Sequence, residues 1–171
     1  MRLHLGCGDK RLPPPWVNAD GRSGSDRVLN MIDPWEIENG SVEWIYCCHA
    51  IEHVEFDTLP SMLARWHLKL APGGKVTLAT IDIEAIYSNR YRAGVRAASW
   101  ISALYGDSWG LDRPFAAHKC CFDEMLLANL LMDAGFHNVR HWEPEEYPEI
   151  AALHDCATTD RDVSLLLEAV A

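Results

Sequence analysis

Gly6-Cys7-Gly8 follows directly on a short apolar run at residues 2–5. Glycines at the carboxyl end of a strand let the backbone approach a ligand closely and adopt positive φ. In open α/β sheets, ligands bind beyond those ends, where the strand order reverses. Asp20 closes the next apolar run, residues 16–19. A carboxylate there can accept hydrogen bonds from both hydroxyls of a ribose, each charge-assisted and worth about 1.5–3 kcal/mol. Each feature alone has a plainer reading, a tight turn for the glycines and a solvated turn aspartate before Gly21. Together they point to an adenosine-containing ligand.

A second set is His49-Ala50-Ile51-Glu52-His53, which matches the H-x-x-E-H pattern of inverted zinc peptidases. On a helix, His49 and His53 would stand at i and i+4 and face one metal. The segment follows an apolar run at 42–48, so His49 is expected at a strand end, outside any helix. No third ligand is evident, and no metal is expected. Glu52 and His53 can instead cap a helix start or bond loop backbone. His118 and Lys119 precede an amphipathic stretch. A histidine titrates near neutrality and suits a general base, although a surface histidine near a helix start looks the same in sequence. Asp82 ends a further apolar run, where it can face a site or cap the helix after it.

The elements that must position these residues alternate in type. Short apolar runs at 2–5, 16–19, 27–29, 42–48, 75–80, 139–142 and 163–170 read as strands, the fourth buried on both faces. Helical spacing covers 56–70, with Leu59, Met62, Leu63, Trp66 and Leu70 on one stripe, and ends at Ala71-Pro72-Gly73-Gly74. Residues 83–105 are helical in pattern and carry Arg90, Arg92 and Arg96 among aromatics. These can bind an anionic or sugar-bearing substrate or simply form a solvated face. Residues 106–114 read as a loop, and 122–134 as an amphipathic helix stopped by Gly135. Strands alternating with helices imply an α/β sheet of mainly parallel strands, and the chain reads as one domain over 1–171.

One crossover is too short for that scheme. Residues 7–15 separate the first two strands and contain Pro13-Pro14-Pro15. A parallel connection normally takes a dozen or more residues with a helix. Nine residues at roughly 3.3 Å each reach about 30 Å, enough to return along a short strand if nearly extended. The spacing predicts that the first crossover helix is missing.

Composition narrows the function classes. The 171 residues carry a formal charge of −10 and 49% hydrophobic side chains. That acidity argues against a nucleic-acid partner, whose phosphates need Lys and Arg. No apolar run reaches the 18 or more residues of a membrane helix, and the first residues lack the apolar core of an export signal. The six cysteines include two adjacent pairs in apolar surroundings and no C-x-x-C, which suggests reduced thiols in a cytoplasmic protein.

Several segments in order resemble a known family. They are Leu3-His4-Leu5-Gly6-Cys7-Gly8, Trp16-Val17-Asn18-Ala19-Asp20, Ser41-Val42-Glu43-Trp44-Ile45-Tyr46, His49-Ala50-Ile51-Glu52-His53-Val54 and Leu70-Ala71-Pro72-Gly73-Gly74. Together they resemble the small class I S-adenosylmethionine-dependent methyltransferases of the type 11 kind. The segments Tyr105-Gly106, His118-Lys119, 131–136 and 164–170 resemble a subgroup associated with polysaccharide and lipopolysaccharide gene neighbourhoods. The resemblance implies a Rossmann-like, doubly wound sheet of seven mostly parallel strands with an antiparallel last pair. It implies S-adenosylmethionine as cofactor, with the Gly6-Cys7-Gly8 turn around its methionine part and Asp20 on its ribose. Asn30 falls where the family often has an acidic residue near the adenine amino group, and an amide can still accept that bond. His49 would line the cofactor's methionine portion. His118, His49 and Asp82 are the candidate catalytic groups for methyl transfer to a small or saccharide acceptor. A non-catalytic protein that kept the fold and lost transfer is the competing expectation.

Overall fold

The computed structural model describes residues 1–106 and 117–171, apart from the side chains of Ala98 and Ser99. The expected loop at 106–114 lies, after Gly106, outside the described residues. Seven strands form one sheet: β1 (Arg2–Leu5), β2 (Trp16–Asp20), β3 (Arg27–Val28), β4 (Val42–Cys48), β5 (Leu70–Ile81), β6 (His137–His141) and β7 (Ser164–Val170). Their order is β3-β2-β1-β4-β5-β7-β6. Pairs among β1 to β5 are parallel, whereas β7 runs antiparallel to both β5 and β6. This is a Rossmann-like sheet. From β1 the chain winds outward through β2 and β3, then crosses back to β4 and β5 on the other side. The strand order therefore reverses between β1 and β4, which places a crevice beyond the carboxyl ends of those two strands.

No helix separates β1 from β2. The connection is not the nearly extended path expected: it turns at Gly8-Asp9 and again at Pro14-Pro15, and Asn18 holds the stretch between. The Asn18 side chain accepts from the Leu12 N–H at 2.8 Å and donates to the Leu12 carbonyl at 3.0 Å. One amide thus does for Leu12 what a neighbouring strand would do. The sheet face this crossover leaves uncovered is filled by rings: Trp16 meets Trp44 at 4.8 Å between centroids, and Tyr46 meets Trp142 edge-on at 6.1 Å. Short helices α5 (Pro148–Ala151) and α6 (Cys156–Thr159) add Ile150 and Ala157 to that layer.

The opposite face carries the regular helices α1 (Leu59–Lys69) and α4 (Glu124–Asp133), with α2 (Ile83–Ile86) and α3 (Ala97–Tyr105) between them in the chain. Leu59, Met62, Leu63 and Trp66 of α1 are buried against Leu3, Leu5 and Ile45 in one cluster. Asp123 caps α4 by accepting from the Leu126 N–H at 2.7 Å, so this helix begins later than its apolar pattern suggests.

Other expected boundaries also need correction. Residues 56–58 form a separate 3-10 turn ahead of α1. Residues 83–105 are two helices, because a π-helical turn at Tyr87–Tyr91 and Gly94 at φ 72° break the run. Strand β5 begins at Leu70 and passes through Pro72-Gly73-Gly74. An added Cβ on Gly74 would stand 2.9 Å from the Ala71 carbonyl oxygen and 3.0 Å from that of Val42, so only glycine lets β5 pair there.

Candidate functional site

A cavity of about 660 Å³ opens at the switch point, lined among others by Gly6, Gly8, Asp20, Asn30, His49 and His53. Its floor is the turn after β1. Gly6 (φ 64°) and Gly8 (φ 53°) both occupy the left-handed region. An added Cβ on Gly6 would lie 2.5 Å from the Ala50 Cβ. Gly6 thus has no room for a side chain, and its backbone borders the cavity. Cys7, between them, turns away: it is buried, and its Sγ accepts from the Arg11 guanidinium at 2.9 Å. The Cys7 side chain is outside the cavity lining, which leaves its backbone as the part that shapes the turn.

Asp20 ends β2 and ties that turn to the rest of the site. Its Oδ2 accepts from the Gly8 N–H at 2.9 Å, and its Oδ1 accepts from the Arg22 N–H at 2.9 Å and the Arg22 Nε at 3.1 Å. Burial alone would raise the Asp20 pKa, but the Arg22 and Gly8 N–H bonds and the Arg22 guanidinium outweigh it and hold the carboxyl below its ordinary range. Asp20 is ionised at neutral pH. Arg22, which the sequence reading did not single out, also packs over Gly8: a Cβ there would lie 3.1 Å from its Nη2. Its signal was its place two residues beyond Asp20. Asn30 lies in the cavity wall, where its Oδ1 already accepts from the Ile32 N–H at 3.0 Å.

His49 stands just past β4 with φ 45°, in the left-handed region. Its Nε2 is 2.8 Å from the Ser164 Oγ and its Nδ1 is 3.0 Å from the Glu52 Oε1. Both ring nitrogens face oxygens of the protein, so the ring is held rigidly in the cavity wall. Glu52 is fully buried in a 3-10 turn at Ile51–His53. Its Oε2 accepts from the Thr80 hydroxyl at 3.0 Å. The Glu52 Oε1, although near His49, meets no donor in hydrogen-bonding geometry. Burial would raise the Glu52 pKa; the His49 contact outweighs it and lowers the pKa. The i, i+4 pairing of His49 and His53 needed for a zinc-peptidase helix does not form, since His49 lies outside this turn.

The segment at 117–122 brings His118 to the same end of the sheet. The Lys119 N–H donates to the Glu52 carbonyl at 2.8 Å, and the Lys119 ammonium pairs with Glu55 at 2.9 Å. His118 then meets His53 edge-to-face at 4.9 Å between ring centroids. The His53 Nδ1 donates to the Ala117 carbonyl at 3.0 Å, and the His118 Nδ1 to the Ala103 carbonyl at 2.9 Å. Burial lowers the His118 pKa, more than the nearby Glu52 charge raises it. His53 is in the cavity lining and His118 lies behind it. Asp82 is elsewhere: its Oδ1 caps α2, accepting from the Glu84 and Ala85 N–H groups at 2.9 and 3.1 Å. Arg90 pairs with Asp162 at 2.6 Å, away from the cavity.

The methyltransferase-domain profile matches residues 14–141. The chain belongs to the methyltransferase-domain family. No curated protein matches it in sequence. Among solved structures, this methyltransferase-family chain is similar to a SAM-dependent methyltransferase from Archaeoglobus fulgidus: TM-score 0.61 at 13% identity over 99% of this chain and 85% of that one. It is similar also to an S-adenosylmethionine-dependent methyltransferase from Mesorhizobium loti (TM-score 0.54, 17% identity, 99% and 90% covered). A third is a complex between the Haloferax volcanii Trm112 methyltransferase activator and a methyltransferase (TM-score 0.58, 15% identity, 99% and 81% covered). At these identities the likeness shows the fold, that of the class I S-adenosylmethionine-dependent methyltransferases. In this methyltransferase-family chain, residues of β2 and of the segments after β1 and β4 line the crevice, and no helix lies between β1 and β2.

Proposed function

We propose that the protein binds S-adenosylmethionine in the crevice beyond β1 and β4 and transfers its methyl group to a small-molecule or saccharide acceptor. The observation that carries this reading is the union, in one cavity, of the Gly6–Gly8 backbone turn with the ionised Asp20. The residues present fit the cofactor. A strand-end turn whose Gly6 has no room for a Cβ gives an extended ligand a backbone surface to lie on. An anionic carboxylate at the end of β2 suits a ribose diol, with Arg22 turning aside to free Oδ1.

The cofactor supplies an electrophilic methyl group on a sulfonium. What the chain does is bind, orient and handle the acceptor's proton. The turn and Asp20 fix the ligand at one end, and His49, immobilised by Ser164 and Glu52, walls the other. Orientation alone can supply about 7–11 kcal/mol of a displacement barrier. The proton is assigned to the His53–His118 pair. Both rings donate through Nδ1 to carbonyls, so in the neutral form each Nε2 keeps its lone pair. Asp82 and Arg90 take structural parts in this scheme.

The setting proposed is cytoplasmic, in keeping with six cysteines that are all free thiols. No helix among the described residues is long and apolar enough to cross a membrane. Calorimetry with S-adenosylmethionine is the first test, and an acceptor screen over small hydroxyl and amine compounds and saccharides is the second. Binding without transfer to any acceptor would favour the competing reading of a non-catalytic cofactor-binding protein, which the absent crossover helix supports.

A further inference from the structure

Glu52, His53 and His118 offer one carboxylate oxygen and one nitrogen from each ring, all within 4.8 Å of one another. Ligands on a tetrahedral ion at about 2.0–2.2 Å stand roughly 3.3–3.5 Å apart, so side-chain movements of about 1 Å would close the set on an ion. The supporting groups around the cluster are those of a metal site. His53 donates its Nδ1–H to the Ala117 carbonyl, and His118 donates its own to the Ala103 carbonyl. These bonds fix both tautomers and leave Nε2 on each ring to coordinate, the arrangement in which metal-bound histidines are oriented by outer partners. The Thr80 hydroxyl does the same for the Glu52 Oε2.

The second, independent observation is the carboxylate itself. Glu52 has no solvent exposure, and its Oε1 makes no hydrogen bond, its close polar neighbour being the His49 Nδ1 at 3.0 Å, out of bonding geometry. Burying an anion with an unfilled acceptor oxygen is costly unless a cation compensates it. His49 at 3.0 Å is one neighbour; a metal ion held with His53 and His118 would supply the compensating cation.

We propose that Glu52, His53 and His118 form a binding site for a divalent first-row transition ion of the zinc class. Two imidazoles and one carboxylate match the donor set of catalytic zinc, which keeps a further position open. Of the three, His53 lines the cofactor cavity; with an ion bound, the Nε2 atoms of His53 and His118 hold the metal and no longer take the acceptor's proton. In that last respect the inference rests on the proposed methyl transfer; the metal site itself does not. This set differs from the one the H-x-x-E-H spacing suggested, with His118 from a distant segment taking the part of His49.

The test uses chelator-stripped protein titrated with zinc against a chromogenic competitor, and with cobalt followed by its visible absorption. One ion per chain is expected, with cobalt giving the intense bands of a site of low coordination number. His53→Gln and His118→Gln should each weaken zinc binding by more than about tenfold. If His118 only caps the end of α3, the substitution will leave zinc binding unchanged, and that result overturns the proposal. So does the absence of stoichiometric binding to the wild type. S-adenosylmethionine affinity, measured on the same stripped protein and variants, reports folding and cofactor binding separately. Cofactor binding without zinc binding would defeat the metal site alone, and zinc binding without cofactor binding would defeat only the proposed function.

Discussion

The Asp20 carboxylate accepts a hydrogen bond from the Gly8 N–H at 2.9 Å, so the last residue of β2 holds the turn that follows β1. The two features that sequence alone could place only side by side are thus one unit. In most parallel crossovers a helix after the first turn would restrain those glycines. Here the connection has none, and Asp20 supplies part of that restraint while remaining charged. Asp20→Ala is expected to weaken S-adenosylmethionine binding by about 10–100-fold, the loss of one to two charge-assisted bonds. Calorimetry of the variant checks this, and unchanged affinity would contradict the ribose assignment.

Gly6→Ala should be costly on two counts. Its φ of 64° is strained for an L-residue, and the new Cβ would meet the Ala50 Cβ at 2.5 Å. A loss of roughly 1–3 kcal/mol is expected, read as a lower midpoint in urea denaturation. Combining it with Ala50→Gly should recover the steric part and leave the backbone part. A double variant no more stable than Gly6→Ala would show that the contact with Ala50 is not what excludes a side chain.

The sheet's other face contains a pH-sensitive group. His4 is 2% exposed, donates to the Asn18 Oδ1 at 3.1 Å, and has its pKa lowered to about 4, chiefly by burial. A folded-state pKa below the unfolded value of about 6.5 means the unfolded chain binds the extra proton first. Stability should therefore fall as pH drops from about 6.5 to about 4 and lose nothing further to this group below that. His4→Asn should flatten the decline in this window. The readout is urea denaturation at several pH values, and an equally steep decline in the variant would remove His4 as its source.

Sequence patterning showed most of the sheet and one half of the site. The strands are short, apolar and bounded by breakers, and Pro13-Pro14-Pro15 marked the helix-free crossover because proline neither donates nor continues a helix. Strand β5 was legible only from Lys75 onward, since Gly73-Gly74 normally ends an element, and nothing local tells that two carbonyls crowd Gly74. Asp82 could not be assigned by type, because an aspartate after a strand faces a ligand and caps a helix with equal ease; the structure shows its Oδ1 capping α2. The meeting of His53 with His118 was invisible, since it depends on the His53 side chain docking on the Ala117 carbonyl, 64 residues away. Local spacing offered His49 as the partner of His53, and the positive φ at His49 takes that ring elsewhere.

The central claim is that the crevice beyond β1 and β4 is an S-adenosylmethionine site built on Gly6, Gly8 and Asp20. Isothermal titration of the wild-type protein with S-adenosylmethionine tests it most directly. One ligand per chain is predicted, with Asp20→Ala weakening the affinity by about 10–100-fold while the protein stays folded. No heat of binding from folded wild-type protein at millimolar ligand would contradict it.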